Sequence, residues 1–208
     1  MKTIALALAA FVAGISGAQA QQRMKPIPLD QMTPDQRRVA DAILAGPRHS
    51  IEGPFDAWLR SPVLADRLQK VGEYLRFDTS LDHRLNEFGI LITAVYWSCP
   101  FEWYAHYPLA VKAGLKPEIA AQLAAGKRPD GMAADEAVVF DFSMQLHQDH
   151  TVSDATYRAA VAALGEKGVM DLVALNGYYD VVSMTLNVAD VLPPKADATP
   201  LHAPKRAP

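Results

Sequence analysis

The sequence predicts an all-α protein. Capping residues followed by proline mark repeated helix starts, apolar residues recur at helical spacing, and no β-hairpin signal separates them. Half of the 208 residues are hydrophobic, enough for the core of one domain.

The elements follow in order. Thr33-Pro34 with Gln36 reads as a cap, a first-turn proline and a capping-box partner, and that helix stops at Gly46-Pro47. Ser61-Pro62 starts a second helix, carrying Val63, Leu64, Leu68, Val71 and Leu75 at helical spacing. Ser80 or Asp82 opens a third, running through the apolar stretch Phe88 to Trp97. Ser98 caps the next, with Pro100 in its first turn and Gly114 at its end. A short helix spans Pro117 to Ala125, followed by a loop from Gly126 to Gly131. Asp135 to His150 is too apolar for a surface helix; Ser153 then caps Ala155 to Leu164, and Val169 to Val191 forms the last long helix. The tail from Pro193 is rich in proline, alanine and lysine, and is expected to be poorly ordered.

The first residues read as a leader instead of structure. Lys2 precedes the uncharged apolar run Ile4 to Ile15, and Ala18-Gln19-Ala20 supplies a small-x-small cleavage pattern. A signal peptide is therefore expected over 1–20, a single helical domain over 21–192 and a flexible tail over 193–208, with the mature chain in the periplasm or secreted. No later segment offers the roughly 20 uninterrupted apolar residues of a membrane span. A formal charge of −3, without a basic stripe, argues against a nucleic-acid partner. Cys99 is the single cysteine, so no disulfide can form within the chain; it is either buried and inert or kept for chemistry.

Reactive side chains are densest at Cys99, Glu102 and His106. At about 100° per residue these fall within roughly 60° of one another on a helix, and Glu102 and His106 at i,i+4 can touch. Cys99 near a helix N-terminus sits where the dipole favours a thiolate. Phe101, Trp103 and Tyr104 would dry that face and push the acid and imidazole toward neutral pKa values. Glu87 heads the uncharged stretch to Trp97, and a carboxylate there either faces solvent or is held inside by a partner, for which His106 is a candidate. Arg84 and Arg76 are near enough in sequence to pair with Glu87 or to bind a substrate carboxylate. Ordinary roles compete with each: a surface i,i+4 pair, a small buried thiol, a helix-start charge.

The run Arg84-x-x-Glu87, Cys99-x-x-Glu102-Trp103-x-x-His106 and Ala110-x-x-Ala113-Gly114-Leu115 resembles the carboxymuconolactone decarboxylase family, which includes the alkyl hydroperoxidase D proteins. Similarity extends to Gly53-Pro54-Phe55, Asp135-Glu136, Val152-Ser153-Asp154 and Gly177-Tyr178-Tyr179. The resemblance implies an all-α, alkyl hydroperoxidase D-like bundle whose two central antiparallel helices carry the site, assembled as a homo-oligomer, commonly a trimer or hexamer. It implies that Glu87, Cys99, Glu102 and His106 converge. Where the peroxidase branch has a second cysteine, this chain has Glu102, and a disulfide cycle needs two sulfurs or an external thiol. The decarboxylase branch is the better match. It implies acid–base proton transfer on a small lactone or enolisable carboxylated substrate, by decarboxylation, lactone opening or isomerisation. His106 is then the main acid/base, Glu102 orients it or shares its proton, and Glu87 holds the hydrogen-bond network. Cys99 lies in the wall or assists the relay, Arg84 anchors an anionic group, and Trp103 and Tyr104 line the substrate.

Other classes remain as expectations. Cys99 with an external thiol would give a peroxidase-like protein, and an aromatic pocket without chemistry a periplasmic small-molecule binding protein. His147 and His150 at i,i+3, with His106 and Glu102, would offer mixed metal ligation; the favoured reading places them as solvated residues at a helix end, with no metal and no cofactor.

Overall fold

The computed structural model of the chain describes residues 22–195 and 199–204, so the expected leader at 1–20 lies outside the described residues. No strand occurs among the described residues, and eight α-helices carry the fold. Helix α1 (Pro34–Ala45) has the expected capping box, with Gln36 N–H donating to Thr33 Oγ1 and Thr33 N–H donating to Gln36 Oε1. A short α2 (Pro54–Trp58), which the sequence reading had left out as a helix, begins at Gly53 with φ +76. A Cβ at Gly53 would lie 3.0 Å from the Phe101 ring, so glycine meets both the positive φ and the close approach.

Helix α3 (Pro62–Glu73) continues into a π-helical turn, Tyr74–Asp78. Its apolar stripe points the other way from expectation: Val63 is 70% exposed, Leu64 49% and Val71 46%, while Ala65, Gln69 and Gly72 face inward. The cause lies on the far side of the contact, where the Tyr178 hydroxyl fills the space a Cβ at Gly72 would take, 2.1 Å away. Small residues on α3 are what let that ring in. Leu75, by contrast, is buried as its spacing implies.

Helix α4 (His83–Tyr96) is the centre of the bundle, capped by Asp82, whose Oδ1 accepts the Arg84 N–H at 3.0 Å. Every residue from Leu85 to Ala94 is buried, because α4 packs against α5, α7 and α8 together. Burial on all sides explains why its sequence lacks a polar face; each fully buried Leu, Ile or Phe contributes about 1.5–3 kcal/mol. At Gly89 a Cβ would come 2.9 Å from Leu175 Cδ2, so α8 approaches closely there.

Helix α5 (Pro100–Lys112) returns antiparallel to α4: Cys99 N–H donates to Ala94 O at one end, and the Arg84 side chain lies beside Gly114 at the other. Cys99 takes the N-cap position; Ser98, expected there, instead adopts φ +49 in the tight turn between the helices. Helices α6 (Pro117–Ala124) and α7 (Ala134–Asp149) follow as expected, with His150 at the left-handed C-cap of α7. The two final helices follow one another as α8 (Asp154–Ala189), divided as expected by a kink at Gly165, where φ is +70. Asp171 of α8 accepts from the Tyr74 and Ser80 hydroxyls and the Ser80 N–H, tying it to the approach to α4.

Described residues of the tail pack against the helices. Leu201 is 9% exposed within the hydrophobic core cluster, and Thr199 and Pro200 border a cavity lined by Trp103 and Tyr107. Apolar surface on α5 gives this segment something to bury that its composition alone does not reveal. No helix among the described residues is long and apolar enough to cross a membrane.

Candidate active site

Helix α4 supplies Glu87, and α5 supplies Glu102 and His106 one turn apart. Because the two helices run antiparallel through a short turn, residues far from that turn on one face of each are brought together. Glu87 Oε2 lies 2.7 Å from His106 Nδ1, and His106 Nε2 lies 3.5 Å from Glu102 Oε2. All three side chains are buried: Glu87 is 1% exposed, Glu102 3% and His106 4%. The Tyr179 ring meets the imidazole edge to face, at a centroid distance of 5.3 Å, fixing its plane.

The arrangement is directional. A hydrogen bond from Nδ1–H to the Glu87 carboxylate leaves Nε2 facing Glu102. Glu102 Oε2 has no hydrogen-bond partner. Burial holds the Glu102 carboxyl above the ordinary carboxylate range, opposed by His106, Arg76 and Arg48 and reinforced by Glu87. The carboxyl beside the imidazole thus holds its proton to higher pH than a free carboxyl does.

This group opens onto a cavity of about 190 Å³ bordered by Arg48, Arg76, Glu102, Tyr104, His106 and Tyr178. A larger groove of about 560 Å³ lies elsewhere, against Phe140 and Met144; its Arg128 is forked onto Asp141 at 2.8 and 2.9 Å, and no buried acid–imidazole pair borders it. Chemistry, not size, selects the smaller cavity.

The remaining expected site residues divide. Tyr104 lines the cavity as expected. Trp103 does not: it is 3% exposed and stacks on Tyr107 on the side facing Pro200. Arg84 is also outside, its guanidinium forked onto Asp135 at 2.7 Å and Glu136 at 2.5 Å, where it clamps the first turns of α4 and α7. With both carboxylates already engaged, it has no call on a substrate. Cys99 borders the group but is fully buried, and burial pushes its thiol up to about 12, with the Glu102 charge adding to it. Desolvation therefore outweighs the helix-dipole effect expected from its position.

Arg48 was missed by sequence reasoning, whereas Arg76, expected to pair with Glu87 or to bind a substrate carboxylate, borders the cavity. Arg48 sits in the loop after α1, stacked 4.8 Å over the Phe55 ring, with one guanidinium nitrogen, Nη2, buried and unpartnered. No periodicity marks such a loop residue, and only the Arg-bearing π-helical turn being spliced to α3 brings Arg76 alongside. His147 likewise departs from the solvated reading. It is 6% exposed, stacked on Tyr96, and packed near Thr93 and Asp180, while His150 ends the helix. Among the described residues no group of three or more His, Cys, Asp or Glu side chains is placed so as to hold a metal ion.

Among solved structures, the chain is similar to the crystal structure of an alkylhydroperoxidase AhpD core, an uncharacterized peroxidase-related protein from Ralstonia eutropha JMP134. The TM-score is 0.68 at 16% sequence identity, over 85% of this chain and 94% of that one. The fold is therefore an all-α, alkylhydroperoxidase D-like bundle, as the sequence resemblance implied. No family model and no curated protein matches the chain.

Proposed function

We propose that this chain is an acid–base enzyme of the carboxymuconolactone decarboxylase kind, acting on a small lactone or enolisable carbonyl compound. The observation that carries the reading is the buried chain Glu87–His106–Glu102, ending in an unpartnered carboxyl oxygen beside a small cavity. Glu87 orients His106, whose Nε2 exchanges a proton with Glu102 or with the substrate. In decarboxylation the bond between the α-carbon and the carboxylate breaks, its electron pair moves into the enolate, carbon dioxide leaves, and the acid returns a proton to carbon. Lactone opening and isomerisation use the same proton-handling pair.

The thiol alternative is less well supported, since Cys99 is buried, held as a thiol and without a second cysteine. Export of the mature chain belongs to this proposal, resting on Lys2, the apolar run after it and the Ala18-Gln19-Ala20 pattern. So does self-association: the exposed Val63, Leu64, Val71 and Phe77 form apolar surface for a second copy of the chain, as a trimer or hexamer. Sedimentation velocity tests the last point.

The function is tested by screening small lactones and β-keto acids for turnover, with His106→Gln alongside. Turnover that falls at least about a hundredfold in the variant, with helical circular dichroism unchanged, is expected for a general acid–base residue. Retained activity in His106→Gln would refute the assignment. Thermal stabilisation by the same compounds without any turnover would mark a binding protein.

A further inference from the structure

We infer that Arg48 and Arg76 form the anion-binding end of the cavity, so that the ligand is a small carboxylate held at one end while its reacting carbon faces Glu102 and His106. This rests on the acid–base reading above, which locates the reacting end.

Both guanidinium groups border the same cavity as the two acid–base side chains. Among the described residues neither makes a salt bridge within 4.0 Å, whereas Arg84 and Arg128 are each taken up by carboxylates. Arg48 Nη2 is buried without a hydrogen-bond acceptor, which costs free energy unless something supplies one. Its aromatic neighbour Phe55 offers a ring face and no acceptor.

The carboxyl group nearest in kind is Glu102, but its Oε2 is unpartnered, and among the described residues no hydrogen bond or salt bridge joins Glu102 to either arginine. The two cations also act against each other: Arg48 is pushed below its ordinary value first by burial and next by Arg76. A ligand carboxylate between them relieves the repulsion and fills the empty valence together. Planar guanidinium groups bind carboxylates through paired N–H donors, which fixes the ligand's orientation as well as its charge.

The cavity also limits size. At about 190 Å³ it is smaller than the roughly 300–1,000 Å³ of pockets for drug-sized ligands, which favours a small group at the acid–base end. Two guanidinium groups and a carboxyl–imidazole pair around one small cavity suit a short acid bearing a carbonyl.

The test is binding, read by titration calorimetry on the full chain without need of turnover. Propionate, levulinate and glutarate are compared with the methyl esters of the same acids. At least one free acid is expected to bind about tenfold or more tightly than its ester. Arg48→Gln and Arg76→Gln are each expected to weaken that acid at least about tenfold while leaving the ester unchanged, and Arg48→Lys to restore part of the loss. Should Arg48→Gln fail to fold, Arg76→Gln carries the test. Acids and esters that bind alike, acids indifferent to both substitutions, or no binding across the panel would each overturn the inference. The two readings fail separately: a wild-type chain that binds the free acid through both arginines yet turns over no lactone or β-keto acid leaves the anion site standing and sinks the acid–base function, whereas turnover lost in His106→Gln with acid binding kept supports both.

Discussion

Glu87 and His106, nineteen residues apart, meet at 2.7 Å in the centre of the bundle, each almost completely shielded from water. A buried carboxylate next to an imidazole is tolerable only because each supplies what the other lacks: an acceptor for Nδ1–H on one side, a donor for Oε2 on the other.

Removing both partners should therefore cost less than the two single losses added together. His106→Ala leaves Glu87 buried and alone, and is expected to cost about 3–5 kcal/mol of stability. Glu87→Gln retains a neutral acceptor and should cost less. In urea melts of Glu87→Gln, His106→Gln and the double variant, the double loss is expected to fall short of the summed single losses. Simple additivity would mean that the two side chains are not coupled.

Stability should fall on the neutral side of the acid range. Burial raises the Asp56 carboxyl to about 6, against the pull of Arg60, and raises Glu102 as well. A raised folded value means that folding favours the protonated form. The contribution is complete below the unfolded values of about 3.9 for Asp and 4.3 for Glu, and is lost as pH rises through the folded ones. Denaturant midpoints followed upward from pH 4 are expected to decline through about pH 6 for Asp56, with the decline smaller in Asp56→Asn and smaller again when Glu102→Gln is added. A midpoint that rises over that window in the wild type and is unaffected by both substitutions contradicts the assignment.

Gly72→Ala should destabilise the protein although the position is an ordinary helical one. The new methyl would press on the Tyr178 hydroxyl and ring, at 2.1 and 2.5 Å, and overpacking of this kind costs about 1–3 kcal/mol. Thermal melts of Gly72→Ala alone and with Tyr178→Phe are the check; the double variant, which removes the oxygen, is expected to recover part of the loss. Equal melting of Gly72→Ala and wild type would show that α3 yields freely.

Cys99 should be inert in the folded chain. Its thiol is buried and held far above neutrality, so iodoacetamide at pH 8 is expected to leave it unmodified by mass spectrometry and to label it fully in denaturant. Rapid labelling of the native protein would reopen thiol chemistry.

How far these features were legible in the sequence depends on what each one leans on. Some caps announce themselves locally: Thr33-Pro34 with Gln36 read correctly, and Asp82 was one of the two residues offered for its helix, because a side chain and a backbone N–H a few residues apart decide them. The i,i+4 spacing of Glu102 and His106 showed that the two can touch, but not that they face inward. The outward turn of Val63, Leu64 and Val71 was not legible, since periodicity shows that a helix has an apolar stripe without saying what lies opposite it. Arg84 and Arg76 look equivalent in the sequence; only the tertiary placement of Asp135 and Glu136 takes the first out of play. Arg48 carried no signal at all, being one loop arginine among many polar neighbours.

The antiparallel joining of α4 and α5 also bears on the order in which the site assembles. Closing a loop of nineteen residues costs little chain entropy, so the Glu87–His106 contact belongs to the short-range part of the fold. Arg48 and Tyr178, drawn from opposite ends of the polypeptide, complete the pocket through contacts of much greater sequence separation. During refolding, proton-handling geometry should thus appear ahead of ligand-holding geometry, and slow kinetic phases should track the second.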